Sequence, residues 1–434
     1  MHGPRSLSLL LPLFVAPIVG CSAGASKDDT DVDTQDTDVV DTDVADTDVG
    51  DTDVADTDVA DTDLVDTDVE DTDVPNLCGD GTPAVDEPCF DAPTGYDGEG
   101  LIGAIAIADW DGGGSDVIYG VYGSVYTLGG DGTGAFPSGR QIAGSSLGNP
   151  VEELRVGQLS ADTNVDVVVG GTGSSGRVIF GDGAGGITYE SFLNGEGDLH
   201  RVHVANVVGS SASAEILISD TNGCGTLTLT SGLDSSASFR DDYEYYCNPT
   251  AGVIAQTSPT QSSTVVAEST TLSVQTVRDS ALSLVLGAAT TFTLPAGAVD
   301  MEAGDLDDDG DDDVLILLAD GTLKVMFSDG ADDWDIFGQD PWVSITVSGS
   351  PTDLALGDLD GDGDLDVAIA ATSDDAVDIL VNDGVGSFAA APIALGAGAR
   401  PGRITTGDLN QDSIDDIAVG TELGNEIVVL ISNP

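Results

Sequence analysis

The fold is decided by the stretch Gly357-Asp358-Leu359-Asp360-Gly361-Asp362-Gly363-Asp364-Leu365-Asp366-Val367. If Asp358 is loop position 1, carboxylates stand at positions 1, 3, 5 and 9, and the apolar run 367–370 follows. Ca²⁺ takes six to eight oxygen ligands, which a tightly wound loop supplies from alternate side chains. Short apolar runs rich in β-branched residues and bounded by Gly and Asp indicate buried strands. The stretch therefore predicts a Ca²⁺-binding turn that leads into a strand.

Two further copies of this pattern, at 304–314 and 407–417, make chance an inadequate explanation. The main alternative is a solvated acidic turn, but residues 305–313 hold seven Asp in nine positions, and such crowding is repulsive without a cation. Position 7 is expected to offer its backbone carbonyl, and position 9 both oxygens of its carboxylate. The predicted metal-binding positions are Asp305, Asp307, Asp309, Asp311, Asp313, Asp358, Asp360, Asp362, Asp364, Asp366, Asp408, Asn410, Asp412, Ile414 and Asp416.

An EF-hand, the other common acidic Ca²⁺ loop, does not fit. It requires Glu at loop position 12, where this chain has Ile316, Ile369 and Val419. It also requires flanking helices, whereas these loops run into short β-branched segments. The loops are therefore expected to join strands.

The same frame recurs in weaker form upstream of these three loops. Seven units start at Asp109, Gln158, Asn206, Gln256, Asp305, Asp358 and Asp408, with separations of 49, 48, 50, 49, 53 and 50 residues. A period near 50 residues with several short strands per unit is typical of a β-propeller. We therefore predict an all-β fold, a seven-bladed β-propeller spanning residues 78–434.

Closure of the ring is predicted from the two ends of the repeats. Only 26 residues follow Asp408, so the last blade lacks an outer strand. Phe90 lies 19 residues before Asp109 in the sequence, and Phe388 lies 20 residues before Asp408. Residues 88–97 are thus expected to pair with the strand Glu426–Leu430, which removes exposed sheet edges.

The frame at 357–367, followed by Phe388-Ala389-Ala390-Ala391-Pro392, resembles the FG-GAP or VCBS repeat of integrin-α-like propellers. The resemblance covers residues 88–434 and is strongest in the last three units. It implies Ca²⁺ loops between the first two strands of a blade, which stabilise the blade. The first unit departs from the pattern, with Asp116 at position 8 and Gly113 at position 5. The second keeps only Asp162 and Asp166 as carboxylates, and no metal is expected in the third and fourth.

The sequence of residues 1–21 predicts that the chain is exported and anchored to a membrane by a lipid. An n-region with Arg5 precedes a short apolar run that ends in Ile18-Val19-Gly20-Cys21, which resembles a bacterial lipobox with Cys21 as the lipidated residue. An ordinary cleaved signal is the alternative. Ser22 in place of Asp implies the outer membrane, and the segment from Cys78 to Cys89 resembles the leader of myxobacterial-type surface lipoproteins. Lipid is the only membrane attachment expected.

Residues 22–77 predict a disordered acidic linker. From Asp36 to Pro75 the chain repeats every five residues, as in Asp51-Thr52-Asp53-Val54-Ala55. So few apolar residues cannot offset the entropy of ordering, and like charges extend the chain. A low-affinity Ca²⁺ polymer is the alternative interpretation.

Four cysteines remain for disulfides in an exported chain. The most local of three connectivities pairs Cys78 with Cys89 and Cys224 with Cys247. None of them forms a CxxC motif, which argues against a zinc or redox site.

The formal net charge of −67 argues against nucleic-acid partners. Catalytic motifs are scarce, and His200 and His203 lack further metal ligands nearby in sequence. The sequence therefore predicts a Ca²⁺-binding adhesion or protein-interaction scaffold at the cell surface rather than an enzyme, with a protein or polysaccharide ligand. The acidic, Tyr-rich segment Phe239–Tyr246 is either a binding surface or a packed outer strand. A carbohydrate-binding propeller and a polysaccharide-degrading enzyme are the alternatives.

Overall fold

The structure, a computed structural model, describes 88–433 apart from 144–149, 161, 172–175, 193–198, 206–214, 221–223, 231–241, 248, 259–260, 281–282, 329–341 and 397. All of these residues belong to the compact unit Glu70–Pro434. The predicted signal segment with Cys21, the linker 22–77 and Cys78 lie outside the described residues. Within the described part, no helix has the length and apolar character needed to cross a bilayer.

The described strands form seven antiparallel sheets, here numbered I to VII along the chain. Sheet VII is completed by β1 (Thr94–Asp97). Sheet I contains β2 (Ala104–Ala108), β3 (Asp116–Val121), β4 (Ser124–Gly129) and β5 (Ser138–Ala143), and sheet II contains β6 (Glu153–Gly157), β7 (Asp166–Gly170), β8 (Arg177–Gly181) and β9 (Ile187–Phe192). Sheet III contains β10 (Leu199–Ala205), β11 (Glu215–Asp220), β12 (Cys224–Thr230) and β13 (Asp242–Cys247).

The second half of the chain repeats this plan. Sheet IV contains β14 (Pro249–Ser258), β15 (Gln261–Glu268), β16 (Thr271–Ser280), β17 (Ser283–Leu286) and β18 (Thr290–Thr293). Sheet V contains β19 (Ala298–Gly304), β20 (Asp313–Leu318), β21 (Thr322–Met326) and β22 (Trp342–Thr346). Sheet VI contains β23 (Pro351–Gly357), β24 (Asp366–Ala371), a 3₁₀ turn (Thr372–Asp374), β25 (Ala376–Asn382), β26 (Phe388–Ala390) and β27 (Ile393–Ala394), and sheet VII adds β28 (Pro401–Gly407), β29 (Asp416–Thr421) and β30 (Glu426–Leu430).

The first strand of each sheet lies against the first strands of its two neighbours. These contacts run in order through β2, β6, β10, β14, β19, β23 and β28, and β28 contacts β2 again. The arrangement is an all-β β-propeller, as the repeat predicts, and each sheet spans one repeat unit.

The hydrophobic core lies between neighbouring sheets, so the second strands are buried on both faces. All six residues of β20 and all six of β24 are buried. A strand covered on both faces needs a continuous apolar run rather than an alternating one, and Val314-Leu315-Ile316-Leu317-Leu318 supplies it. One buried cluster joins sheets V and VI, and another joins sheets VI and VII.

The ring closes where the sequence predicts. Strand β1 pairs antiparallel with β30, with Thr94 opposite Val429, and Phe90 forms a further bridge to Ser432. Phe90 is 1% exposed and packs in the cluster between sheets VI and VII. The first described segment thus supplies the outer strand that the last repeat lacks.

Truncation of Phe90 tests this closure. We expect Phe90→Ala to lower the free energy of unfolding by about 3–5 kcal/mol, because it leaves a cavity where the two ends of the ring meet. Val385→Ala, at a side chain 69% exposed, is the control and should change it by less than about 0.5 kcal/mol. Denaturant titration measures both, and equal effects would show that Phe90 does not secure the closure.

Candidate metal centre

The three predicted loops join the first and second strands of sheets V, VI and VII. Their winding comes from positive φ at positions 4 and 6, which turns alternate side chains to one side. In the loop of sheet VI these positions are glycines, Gly361 (φ 81°) and Gly363 (φ 96°). The loop of sheet VII adopts the same conformation with Gln411 (φ 66°) and Ser413 (φ 74°), at the conformational cost that non-glycine residues incur there.

The position-9 carboxylate binds the loop to its own sheet. Asp366 is fully buried; one oxygen accepts the amide of Leu359 at 2.9 Å and the other accepts that of Asn382 at 2.8 Å. The first amide is at loop position 2 and the second at the end of the third strand. The same pair of backbone contacts is made by Asp116, Asp166, Asp313 and Asp416.

Burial makes these carboxylates reluctant to ionise. It raises the pKa of Asp313 and Asp366 to about 7, and that of Asp116 and Asp416 to about 6, although the backbone hydrogen bonds act to lower it. Neighbouring aspartates raise it further. A nearby cation would favour the charged form, so proton and metal compete for the same oxygens.

Positions 1, 3 and 9 come together in two of the predicted loops. Asp305, Asp307 and Asp313 each contribute one carboxylate oxygen to a group in which all oxygens lie within 4.8 Å of one another. Asp358, Asp360 and Asp366 form the equivalent group in sheet VI. The position-5 carboxylates, Asp309 and Asp362, are not part of these triads. Their Oδ1 atoms instead accept the amides of the position-7 residues 311 and 364.

A third triad, Asp109, Asp111 and Asp116, lies in the loop of sheet I. The sequence leaves metal binding by this loop undecided, because Asp116 stands at position 8 rather than 9. The shorter loop still brings Asp116 to the start of the second strand, where its oxygens accept the amides of Trp110 and Gly130. The pattern Asp-x-Asp followed by an Asp that opens an apolar strand would have found it.

The loop of sheet VII differs from the other two. Asp412 accepts one hydrogen bond from the side-chain amide of Asn410 at 2.8 Å, and it donates its own backbone amide to the Asn410 side-chain oxygen at 3.0 Å. The loop's other contacts match those of the sheet VI loop: Asp408 accepts the amides of positions 4 and 6, as Asp358 does, and Asp412 accepts the amide of position 7, as Asp362 does. No three acidic groups of this loop share a centre in the described structure, so its predicted residues form a weaker candidate.

Orphaned oxygens show that the residues of sheets V and VI fit a cation. Asp307 Oδ1, Asp360 Oδ2 and Asp311 Oδ1 are buried and have no hydrogen-bond partner in the described structure. An unsatisfied buried polar atom costs about 1–3 kcal/mol. The potential ligand atoms of each triad are all carboxylate oxygens, which suit a hard ion such as Ca²⁺ rather than a metal that prefers nitrogen or sulfur.

The three loops also take part in contacts between neighbouring sheets. Asp415 donates its amide to the Asp358 carbonyl at 2.8 Å, and its carboxylate accepts the Asp358 amide at 3.2 Å. Asp312 makes the same reciprocal contact with Gln256. A change in one loop therefore reaches the packing between sheets.

A second polar cluster lines the central channel, in a cavity of about 320 Å³. Glu302 pairs with Arg155 at 3.0 Å and lies 3.7 Å from His203. Burial opposes ionisation of Glu302, but Arg155 and then His203 lower its pKa below the usual value. Asp353 accepts the Ile404 amide at 2.9 Å, and burial and then Asp300 raise its pKa. These side chains form ion pairs with one another or accept hydrogen bonds from backbone amides of the inner strands.

The predicted histidines and the tyrosines of the Tyr-rich segment lie in sheet III, whereas Cys89 lies beside sheet VII, where its carbonyl accepts the Asn433 amide. His203 is buried, and its Nδ1 accepts the Ile254 amide at 3.2 Å; the side chain of His200 is not described. The Tyr-rich segment ends in β13, the outer strand of its sheet, and its side chains are likewise outside the described set. Cys89 is buried, but the pairing with Cys78 stays a prediction.

Comparison with known proteins agrees with the fold. Residues 305–369 and 361–419 match the family model FG-GAP-like repeat. This part of the chain carries FG-GAP-like repeats. No curated protein matches the chain.

Among solved structures, similar chains occur in crystals of BBS1N in complex with ARL6DN, one soaked with mercury and one with lead. Their TM-scores are 0.56 and 0.55, each with 8% identity, and each match covers 79% of this chain and 97% of the other. At this identity the likeness shows the fold alone.

A disulfide in sheet III is testable directly. Strands β12 and β13 place Cys224 directly opposite Cys247, and opposed residues of antiparallel strands have Cα atoms about 4.5–5.5 Å apart, a separation that a disulfide spans. We expect peptide mapping of the non-reduced, exported chain to yield a Cys224–Cys247 cross-linked peptide. Free thiols at both positions would contradict this pairing.

The raised pKa values predict how stability depends on pH. In excess EGTA, we expect the unfolding temperature to rise as pH falls from 8 to 6, because folded Asp313 and Asp366, with pKa about 7, bind protons that the unfolded chain, with pKa near 3.8, does not. Saturating Ca²⁺ should abolish the rise, because bound metal keeps these carboxylates ionised and the folded state then takes up no extra protons. A scanning-calorimetry series measures both, and a fall towards pH 6 in EGTA would be contrary to this prediction.

Proposed function

We propose that this chain is an exported, lipid-anchored protein whose propeller is stabilised by Ca²⁺ and serves as a protein-interaction scaffold at the cell surface. In this proposal the seven sheets are seven blades, Cys21 carries the lipid, and residues 22–77 separate the propeller from the outer membrane. The resemblance of Ile18-Val19-Gly20-Cys21 to a lipobox supports the anchor.

The orphaned carboxylate oxygens carry the Ca²⁺ part of the proposal. Asp307 Oδ1 and Asp360 Oδ2 are buried without a partner at equivalent positions of two loops, beside two other carboxylates in each case. A divalent cation would satisfy these atoms and offset the repulsion among the aspartates. Ca²⁺ would then hold the loop closed between the first and second strands, with positions 1, 3 and 9 as ligands.

The scaffold role is supported by the fold and by the state of the polar groups. A structurally similar chain, BBS1N, crystallises in complex with ARL6DN, so a propeller of this kind can carry a protein partner. The channel carboxylates Glu302, Asp300 and Asp353 are engaged by Arg155 or by backbone amides. That arrangement favours a structural role for the channel over hydrolytic chemistry.

Thermal unfolding of the full chain with saturating Ca²⁺ and then with excess EGTA tests the metal. A ligand bound only by the folded state raises the unfolding temperature, so we expect a rise of several degrees in Ca²⁺. In the triple variant Asp307→Ala, Asp360→Ala, Asp412→Ala the rise should be largely lost. Isothermal titration should show fewer bound Ca²⁺ ions per chain for the same variant than for the unaltered chain.

A matched control separates metal binding from loss of acidic charge. Asp131, Asp182 and Asp383 open turns between strands, where each accepts backbone amides, and none belongs to an acidic triad. Their triple Ala variant removes the same charge and should keep its response to Ca²⁺. The Ca²⁺ proposal fails if both triple variants keep the full rise in unfolding temperature. It also fails if Ca²⁺ does not raise the unfolding temperature of the unaltered chain.

A further inference from the structure

A cavity opens at the end of the propeller opposite the acidic loops. It is lined by the segments that precede the inner strands β2 and β6, by the first residues of β23 and β28, and by the turns β3–β4 and β29–β30. The acidic loops follow the inner strands instead, so the two features lie at opposite ends of those strands. The volume is about 710 Å³, within the range of pockets that hold a ligand.

The rim of this cavity concentrates exposed apolar side chains. Six large apolar side chains are exposed in the described part of the chain, and three of them line the cavity. These are Leu101, Tyr122 and Leu423, at 58%, 72% and 67% exposure. Apolar side chains grouped around a concavity, rather than scattered, indicate a binding surface.

The floor of the cavity is rigid. Ile102 and Val121 belong to the buried cluster that joins sheets VII and I, and Val151 belongs to the cluster that joins sheets I and II. Arg403 crosses between sheets VII and I, since its Nε donates to the Gly103 carbonyl at 2.7 Å. The cavity is therefore formed before any partner arrives, which lowers the entropic cost of binding.

The charges around the cavity favour a basic partner. Its charged lining is three carboxylates, Glu99, Glu152 and Glu422, against one guanidinium, Arg403. Glu422 also pairs with Arg400 at 2.7 Å. The chain as a whole carries −67, a field that attracts cationic segments from a distance and repels anionic ones.

We infer that this cavity, lined by Leu101, Tyr122 and Leu423 and edged by Glu99, binds a protein partner through an apolar side chain flanked by Lys or Arg. The aliphatic walls favour such a side chain over a sugar, because they offer no hydrogen-bond partner to hydroxyl groups. This inference rests on the proposed scaffold role and names the surface and the partner's chemistry.

Two fluorescent heptapeptide pools test the inference by polarisation against the full chain in Ca²⁺. One pool has a central Leu, Phe or Tyr flanked by Lys and Arg, and the other has the same centre flanked by Asp and Glu. We expect the basic pool to bind and the acidic pool not to bind. In Tyr122→Ser/Leu423→Ser, binding should weaken at least about tenfold, since a few buried apolar anchors carry most of the affinity; in Glu99→Arg it should weaken because of repulsion.

The control is Tyr189→Ser/Val385→Ser, which removes two exposed apolar side chains away from the cavity and should leave binding unchanged. Unaltered thermal unfolding would show that each variant is folded. Equal binding of both pools, no binding of the basic pool, or binding that the Tyr122/Leu423 variant retains would overturn the inference. Tyr122-dependent binding of neutral oligosaccharides instead would assign the cavity to sugars. A normal Ca²⁺ response beside any of these results would leave the metal proposal standing.

Discussion

The structure depends on a buried carboxylate at the start of the second strand in five of its sheets. In each case the two oxygens accept one amide from the preceding loop and one from the end of the third strand. Asp366 shows the arrangement most clearly, because it is fully buried and both contacts are short. A buried carboxylate with two backbone partners resists displacement, so it fixes where the loop begins to wind and how three strands align.

This interaction sets the position of every other acidic group in the loop. Once position 9 is fixed and positions 4 and 6 take positive φ, positions 1 and 3 turn inward beside it. The result in sheets V and VI is a group of carboxylates that repel one another and include orphaned oxygens. The same loops touch the next sheet through Asp415 and Asp312, so a cation bound there would act on the packing between sheets as well as within one.

The two ends of the propeller have different chemistry for a physical reason. The loops that follow the inner strands are wound tightly and carry the crowded carboxylates. The segments that precede the inner strands, and the turns that join second and third strands, are free of that winding constraint, and they carry exposed apolar side chains such as Leu101, Tyr122 and Leu423. Stability and recognition can therefore be served by opposite ends of one fold.

The sequence by itself determined the repeat, the all-β class, the pairing that closes the ring and the carboxylates that meet at positions 1, 3 and 9 of two loops, because these follow from local spacing and from runs of apolar residues. It left the loop with Asp109, Asp111 and Asp116 undecided, because spacing alone does not show that a loop one residue shorter still reaches the same fixed carboxylate position. It also could not show that Asn410 and Asp412 bind each other, or that Asp309 and Asp362 lie outside the triads. The cavity at Leu101, Tyr122 and Leu423 was decided only by the tertiary structure, because its walls come from segments more than 300 residues apart in the chain that meet only when the ring closes.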